Sequence, residues 1–117
     1  MNEQSNVKLA GAKEAILDAL GRRPQKARFM TEVAAALRPL NIGREEMEHA
    51  LIELRAEGVV IVRENFCADP HLAEVDLRVA ALVDDANGAD AHAVALHEID
   101  LAWNKWLGEY LANHRCG

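Results

Sequence analysis

Met47-Glu-His-Ala-Leu-Ile-Glu-Leu-Arg-Ala-Glu-Gly-Val-Val-Ile-Val62 is the stretch on which the fold turns. Its first part places Met47, Ala50, Leu51 and Leu54 three and four residues apart, the buried stripe of an amphipathic helix. Gly58 ends that helix, since glycine enters the left-handed closing turn without a steric cost. Val59 to Val62 is then a β-branched run, which packs well on a pleated sheet. The local order is helix, tight turn, strand.

Toward the N-terminus the same periodicity gives two more helices. Leu9, Ala12, Ile16 and Ala19 mark a helix over about 7–21, stopped by Gly21 and Pro24. Residues 22–28 form a basic connector. Thr31 is suited to cap a short helix over about 31–38, its hydroxyl accepting from a first-turn amide, and Glu32 suits the positive helix end. Pro39 closes that helix, because the residue before a proline is pushed out of the helical region. Leu40-Asn41-Ile42-Gly43 reads as a turn into the third helix, about 44–57.

Toward the C-terminus a strand over about 59–63 is followed by a loop, Glu64 to Glu74, with Asp69-Pro70 inside it. Val75, Leu77, Val79, Ala81 and Val83 alternate with Asp76, Arg78 and Ala80, the period of a half-buried strand over about 75–83. Asp84 to Gly88 is a turn cluster. Asp90 is suited to cap a last helix reaching about His114, with Leu96, Ile99, Trp103, Trp106 and Tyr110 on one coiled-coil-like seam. The expected class is mainly α with a small β-hairpin (α+β), divided as a domain at 1–88 and a C-terminal helix at 89–117.

Composition bounds the function. With 117 residues, 50% apolar and 27% charged, the chain has the size and core of one domain and is not a disordered tail. Aromatics make up only 4%, so the core is aliphatic. No apolar run approaches the roughly 20 residues of a membrane helix, and Met1 to Asn6 lack a hydrophobic signal segment. Cys67 and Cys116 form no disulfide framework, so the expected compartment is a reducing cytoplasm. The net charge of −6 hides a basic N-terminal third, where Lys8, Lys13, Arg22, Arg23, Lys26 and Arg28 face Glu3, Glu14 and Asp18.

Ala15 to Leu20, Met30 to Ala35 and Met47 to Val62 together resemble the winged helix-turn-helix domain of small bacterial transcription regulators, of the MarR, PadR and ArsR kind. The likeness spans roughly residues 8–83 and includes the Leu54-to-Gly58 exit into a hydrophobic strand. It implies a homodimeric regulator that binds double-stranded DNA, with the third helix in the major groove and the hairpin wing on the backbone. Carried onto this chain, the groove-facing positions are Gly43, Arg44, Glu45, Glu48 and His49, with Arg44 and His49 at base edges. Arg22, Arg23, Lys26, Arg28, Arg63 and Arg78 would meet phosphates.

The third helix departs from that pattern in its charge. Arg44 and Arg55 are outnumbered there by Glu45, Glu46, Glu48, Glu53 and Glu57. Carboxylates accept from cytosine amino groups but repel phosphate, which supplies most of the affinity. The alternative is a winged-helix module that binds another protein through the acidic face of helix 44–57.

Catalytic patterns are not found. Gly11, Gly21 and Gly43 stand alone, Ser5 sits in the N-terminal tail, and His97-Glu98 has Leu101 where a second zinc-binding histidine would stand. Cys67, Asp69 and His71 are spaced by two, but no second Cys/His pair completes a tetrahedral set. The expectation is a non-enzyme without metal or cofactor. The aromatic seam of the last helix folds either onto the first helix or against a second copy. The dimer, through Leu96, Ile99, Trp103, Trp106 and Tyr110, is the favoured expectation. A membrane-surface role is disfavoured, because Glu98, Asp100 and Glu109 line the polar face.

Overall fold

The computed structural model describes residues 3–21, 27–67, 69–72 and 74–113. Its helices are α1 (Glu3–Gly21), α2 (Met30–Leu37), α3 (Arg44–Ala56) and α4 (Ala91–Asn113). Its strands are β1 (Ala27–Phe29), β2 (Val60–Arg63) and β3 (Val79–Leu82). Short 3-10 turns lie at Arg38–Leu40, Pro70–Leu72 and Asp85–Asp90. The molecule is mostly helical with one small antiparallel sheet, an α+β arrangement.

The sheet order is β1-β3-β2, so β3 is central. It pairs Ala81 with Ala27 on one side and Leu82 with Val60 on the other. Alternation along the strands then sorts side chains to two faces. Val60, Ala80 and the partly buried Val62 and Leu82 join the core of α1, α2 and α3. Ala27, Phe29, Val79 and Ala81 join Ala95 and Ile99 of α4. The fold is therefore three layers: helices, sheet, helix.

The inward stripes of the first three helices meet as their spacing requires. Ala12, Ile16 and Leu20 of α1, Val33 and Leu37 of α2, and Met47, Ala50, Leu51 and Leu54 of α3 are all buried in one cluster. Gly58, at φ 77°, closes α3, and the Val59 amide donates to the Leu54 carbonyl at 3.2 Å. Only glycine takes that backbone angle without strain.

Several boundaries differ from the sequence expectation, each for a local reason. The basic connector ends in strand β1, whose three residues are too few to show a period. Phe29, not Thr31, occupies the cap of α2, and no side chain caps it. The strand runs straight into the helix, and the Met30 amide donates to the Arg78 carbonyl at 2.9 Å, so a sheet-like bond replaces a cap. The α-helix ends at Leu37, ahead of Pro39 as expected, but Arg38 keeps helical angles (φ −58°, ψ −46°) and the chain continues as a 3-10 turn. That turn ends at Asn41, in the left-handed region at φ 60°. Strand β3 begins at Val79 rather than near residue 75, because Asp76 and Arg78 bond locally and the Asn65 amide takes the Leu77 carbonyl at 2.9 Å. Asp84, not Asp90, accepts from a backbone amide ahead of α4, that of Ala86 at 2.9 Å.

The aromatic seam finds its partner in the sheet. Phe29 lies 6.1 Å from Trp103 and 5.4 Å from Trp106, ring centre to ring centre. Trp103 and Trp106 stack at 5.3 Å, and Trp106 and Tyr110 at 5.2 Å. Offset pairs at these separations add about 0.5–1.5 kcal/mol each to the area they bury. Ile99, expected at a dimer interface, is wholly buried and offers no surface to a second chain. Trp103, Trp106 and Tyr110 are half-buried, and Leu96 is exposed on the flank of the helix.

Truncating Ile99 to Ala should cost about 2–4 kcal/mol, the usual range for a buried aliphatic residue. Ile52→Ala, at an exposed position of α3, should change stability by less than about 0.5 kcal/mol. Urea unfolding of the two variants checks the contrast.

Candidate interaction face

The start of α3, the end of α2 and the hairpin loop form one face. The N-terminal turn of α3 places Arg44 and Glu45 outward, because Met47, Ala50, Leu51 and Leu54 are committed inward. A cleft of about 460 Å³ opens beside it, floored by Met30, Ala34 and Met47. Arg38 and Arg44 line it from the helices, and Glu74 and Asp76 from the hairpin.

Arg78 organises this face. Its guanidinium donates to Glu48 of α3 (Nη1 to Oε2 at 2.9 Å, with a second bond from Nη2) and to Asp76 at 2.8 and 3.0 Å. All three side chains are partly buried. The hydrogen bonds from Arg78 hold the Glu48 and Asp76 carboxyls below their usual range, against the opposing pull of desolvation. The same two carboxylates push the Arg78 proton further above its ordinary range. The clamp ties the hairpin arm to α3 and uses up the Arg78 cation expected on phosphate.

The other expected contacts are dispersed. Arg63 closes β2 and is ion-paired with Asp100 of α4. Arg28 is half-buried on β1, and its Nε has no hydrogen-bond partner. Arg44 and His49 are exposed on α3. Arg22, Arg23 and Lys26 lie outside the described residues. The structure thus brings Arg44 and Arg78 to one face and turns Arg63 toward α4.

The hairpin loop is anchored at several points. Asn65 bridges to the Leu77 carbonyl, Leu72 is buried, and Asp69 accepts from the His71 amide at 2.9 Å. Asp69 also accepts from the Tyr110 hydroxyl of α4, which raises the phenol's pKa to about 12. Asp69 is therefore engaged with Tyr110 and its own turn, and no group of three or more His, Cys, Asp or Glu among the described residues is placed to hold a metal. Phe66 stands out from this anchored loop at 86% exposure. Glu64 and Glu74 are exposed in the same loop.

Sequence reasoning missed the Glu48–Arg78–Asp76 clamp, the Arg63–Asp100 pair and the Tyr110–Asp69 bond. Asp76 and Arg78, two apart before a strand, are a local signal for a side-chain turn. The other partners lie 30 or more residues away, with no local signal to connect them.

Replacing Arg78 by Gln strands Glu48 and Asp76 and should destabilise the fold by about 1–2 kcal/mol, a hydrogen bond to a charged group discounted for partial exposure. Depressed carboxyl values contribute stability that is present above the ordinary carboxylate range and lost as pH falls through the lowered values. The gap between the native chain and Arg78→Gln should therefore be full near neutral pH and close below about pH 4. Chemical denaturation across pH reads it.

Tyr110 is the one tyrosine, so its ionisation is directly visible in the ultraviolet. Its midpoint should lie near 12, and Asp69→Asn should bring it back toward the ordinary value of about 10. A raised phenol value means that the bond's contribution persists through neutral pH and is lost as pH rises through about 12.

No family model, curated protein or solved structure matches this chain, so the face is read from its own residues.

Proposed function

We propose that the protein is a winged-helix module that docks another protein through the acidic face formed by α3 and the hairpin loop. Three helices around one core, closed on the open side by an antiparallel hairpin with a long loop, support the winged-helix reading. The observation that carries the functional reading is the disposal of the hairpin arginines. Arg78 is held by Glu48 and Asp76, and Arg63 by Asp100. Releasing either onto phosphate would leave carboxylates unpaired beside a polyanion, an arrangement opposed to the one DNA affinity depends on.

What remains outward suits a basic protein surface with an apolar pocket. Glu45, Glu64 and Glu74 are exposed, and Phe66 and Ile52 are exposed with them. An aromatic side chain on a loop that is already anchored loses little entropy on docking, a property of interface anchors.

A second reading keeps DNA as the partner of a transcription regulator. It is favoured by Arg38 and Arg44, which border the same cleft at the end of α2 and the start of α3. His49, exposed on α3, would add to that set.

Fluorescence anisotropy with two labelled probes separates the readings. The first is a random-sequence DNA duplex at low salt, and the second a lysine- and leucine-rich peptide. The expected result is no duplex binding, and peptide binding weakened about tenfold by the triple change Glu45→Gln, Glu64→Gln, Glu74→Gln, at ~0.5 kcal/mol per carboxylate. Duplex binding that falls steeply with added salt would replace the protein-docking reading by the DNA one.

A further inference from the structure

The cleft beside α3 does not end at the hairpin arm. A second depression of about 380 Å³ adjoins it, and the two share Arg44, Glu74, Val75 and Asp76 on their borders. Together they make one groove between the helices and the hairpin. The first compartment is floored by Met30, Ala34 and Met47 and walled by Ile42 and Val75. Its two unbranched methionines adapt to apolar side chains of different shape. The second compartment is polar, bordered by Glu64, Asn65 and Arg78.

The free charges along this groove are sorted. Asp76 and Arg78 cancel each other within the clamp. Arg44 stands near Glu48 and Asp76 but closes on neither, and both are already held by Arg78. Arg38 likewise makes no hydrogen bond or ion pair among the described residues. The helix side of the first compartment therefore sets two unpaired guanidiniums beside an apolar floor. The hairpin side offers Glu74, and the second compartment adds Glu64. Both are exposed, and neither has an internal partner among the described residues.

We propose that this groove binds the free C-terminus of a partner protein. The terminal residue lays an apolar side chain on the methionine floor, and its carboxylate meets Arg38 and Arg44. A lysine or arginine two residues earlier meets Glu64 and Glu74. The proposal rests on the protein-docking reading above and names the partner's chemistry.

The residues of the groove select a chain end. Only at a C-terminus does one residue carry an apolar side chain and a carboxylate on the same carbon. An internal apolar residue would fill the floor but leave both guanidiniums without a counter-charge as water is displaced. A carboxylate supplies it through charge-assisted hydrogen bonds, among the stronger polar contacts. In an extended peptide alternate side chains share a side, roughly 6.6–6.8 Å apart, which is one step from the first compartment into the second. A basic residue at that step also suits a chain of net charge −6.

Fluorescence anisotropy of N-terminally labelled peptides ending Lys-Ala-Leu tests it, one with a free carboxylate and one amidated. The free acid should bind in the micromolar range, about tenfold or more tighter than the amide, the usual weight of a hydrogen bond to a charged group. The double change Arg38→Gln, Arg44→Gln should bring that ratio close to one. Glu64→Gln with Glu74→Gln should keep the ratio and erase the preference for Lys-Ala-Leu over Gln-Ala-Leu. All four positions are exposed, and circular dichroism checks that each variant is folded. Equal binding of acid and amide overturns the proposal and leaves the docking reading in place. A ratio that survives the loss of Arg38 and Arg44 also overturns it, because the carboxylate is then held elsewhere. N-acetylleucine that competes as strongly as the peptide would make the groove a site for small carboxylates and remove the assignment to a protein terminus. No binding of either peptide up to about 1 mM overturns it too, and the lysine- and leucine-rich probe then shows whether the docking reading stands.

Discussion

A strand buried on both faces governs the rest of this structure. Val79, Ala80 and Ala81 of β3 are fully excluded from solvent, with helices packed on each side of them. Two adjacent alanines at that point let α4 approach one face while α1 to α3 close on the other. Larger residues there would overpack a site that has no route to relax. Because β3 is also the central strand, its alternation decides which side chains of β1 and β2 enter which layer.

That central position explains why the hairpin arm becomes irregular just before it. Leu77 leaves the ladder, the Asn65 side chain substitutes for one of its bonds, and the Arg78 side chain reaches across to α3. The clamp with Glu48 and Asp76 fixes the arm and leaves the face acidic. Arg63 is turned the other way, to α4. The charge available to a partner is therefore set by which ion pairs the fold closes internally, and the arginine count alone misstates it.

The last helix follows the same logic. Its aromatic seam packs on the sheet and not on α1, because β1 brings Phe29 beneath both tryptophans. With the seam satisfied inside the chain, Leu96, Leu101 and Leu111 of α4 remain exposed.

The sequence by itself determined the helices and the hairpin. The stripes of α1, α2 and α3 and the Gly58 exit are local signals, because a period of three and four needs no distant partner to be read. The candidate residues were legible in part: Arg44 and His49 are exposed on α3 as their spacing implies. Only the tertiary structure decided that β1 exists, since a three-residue strand is stable solely through its pairing with β3. It likewise decided that Ile99 lies inside and that Arg63 and Arg78 are neutralised. Those outcomes depend on contacts between residues far apart in sequence, and a charge pattern carries no record of which carboxylate will close on which guanidinium.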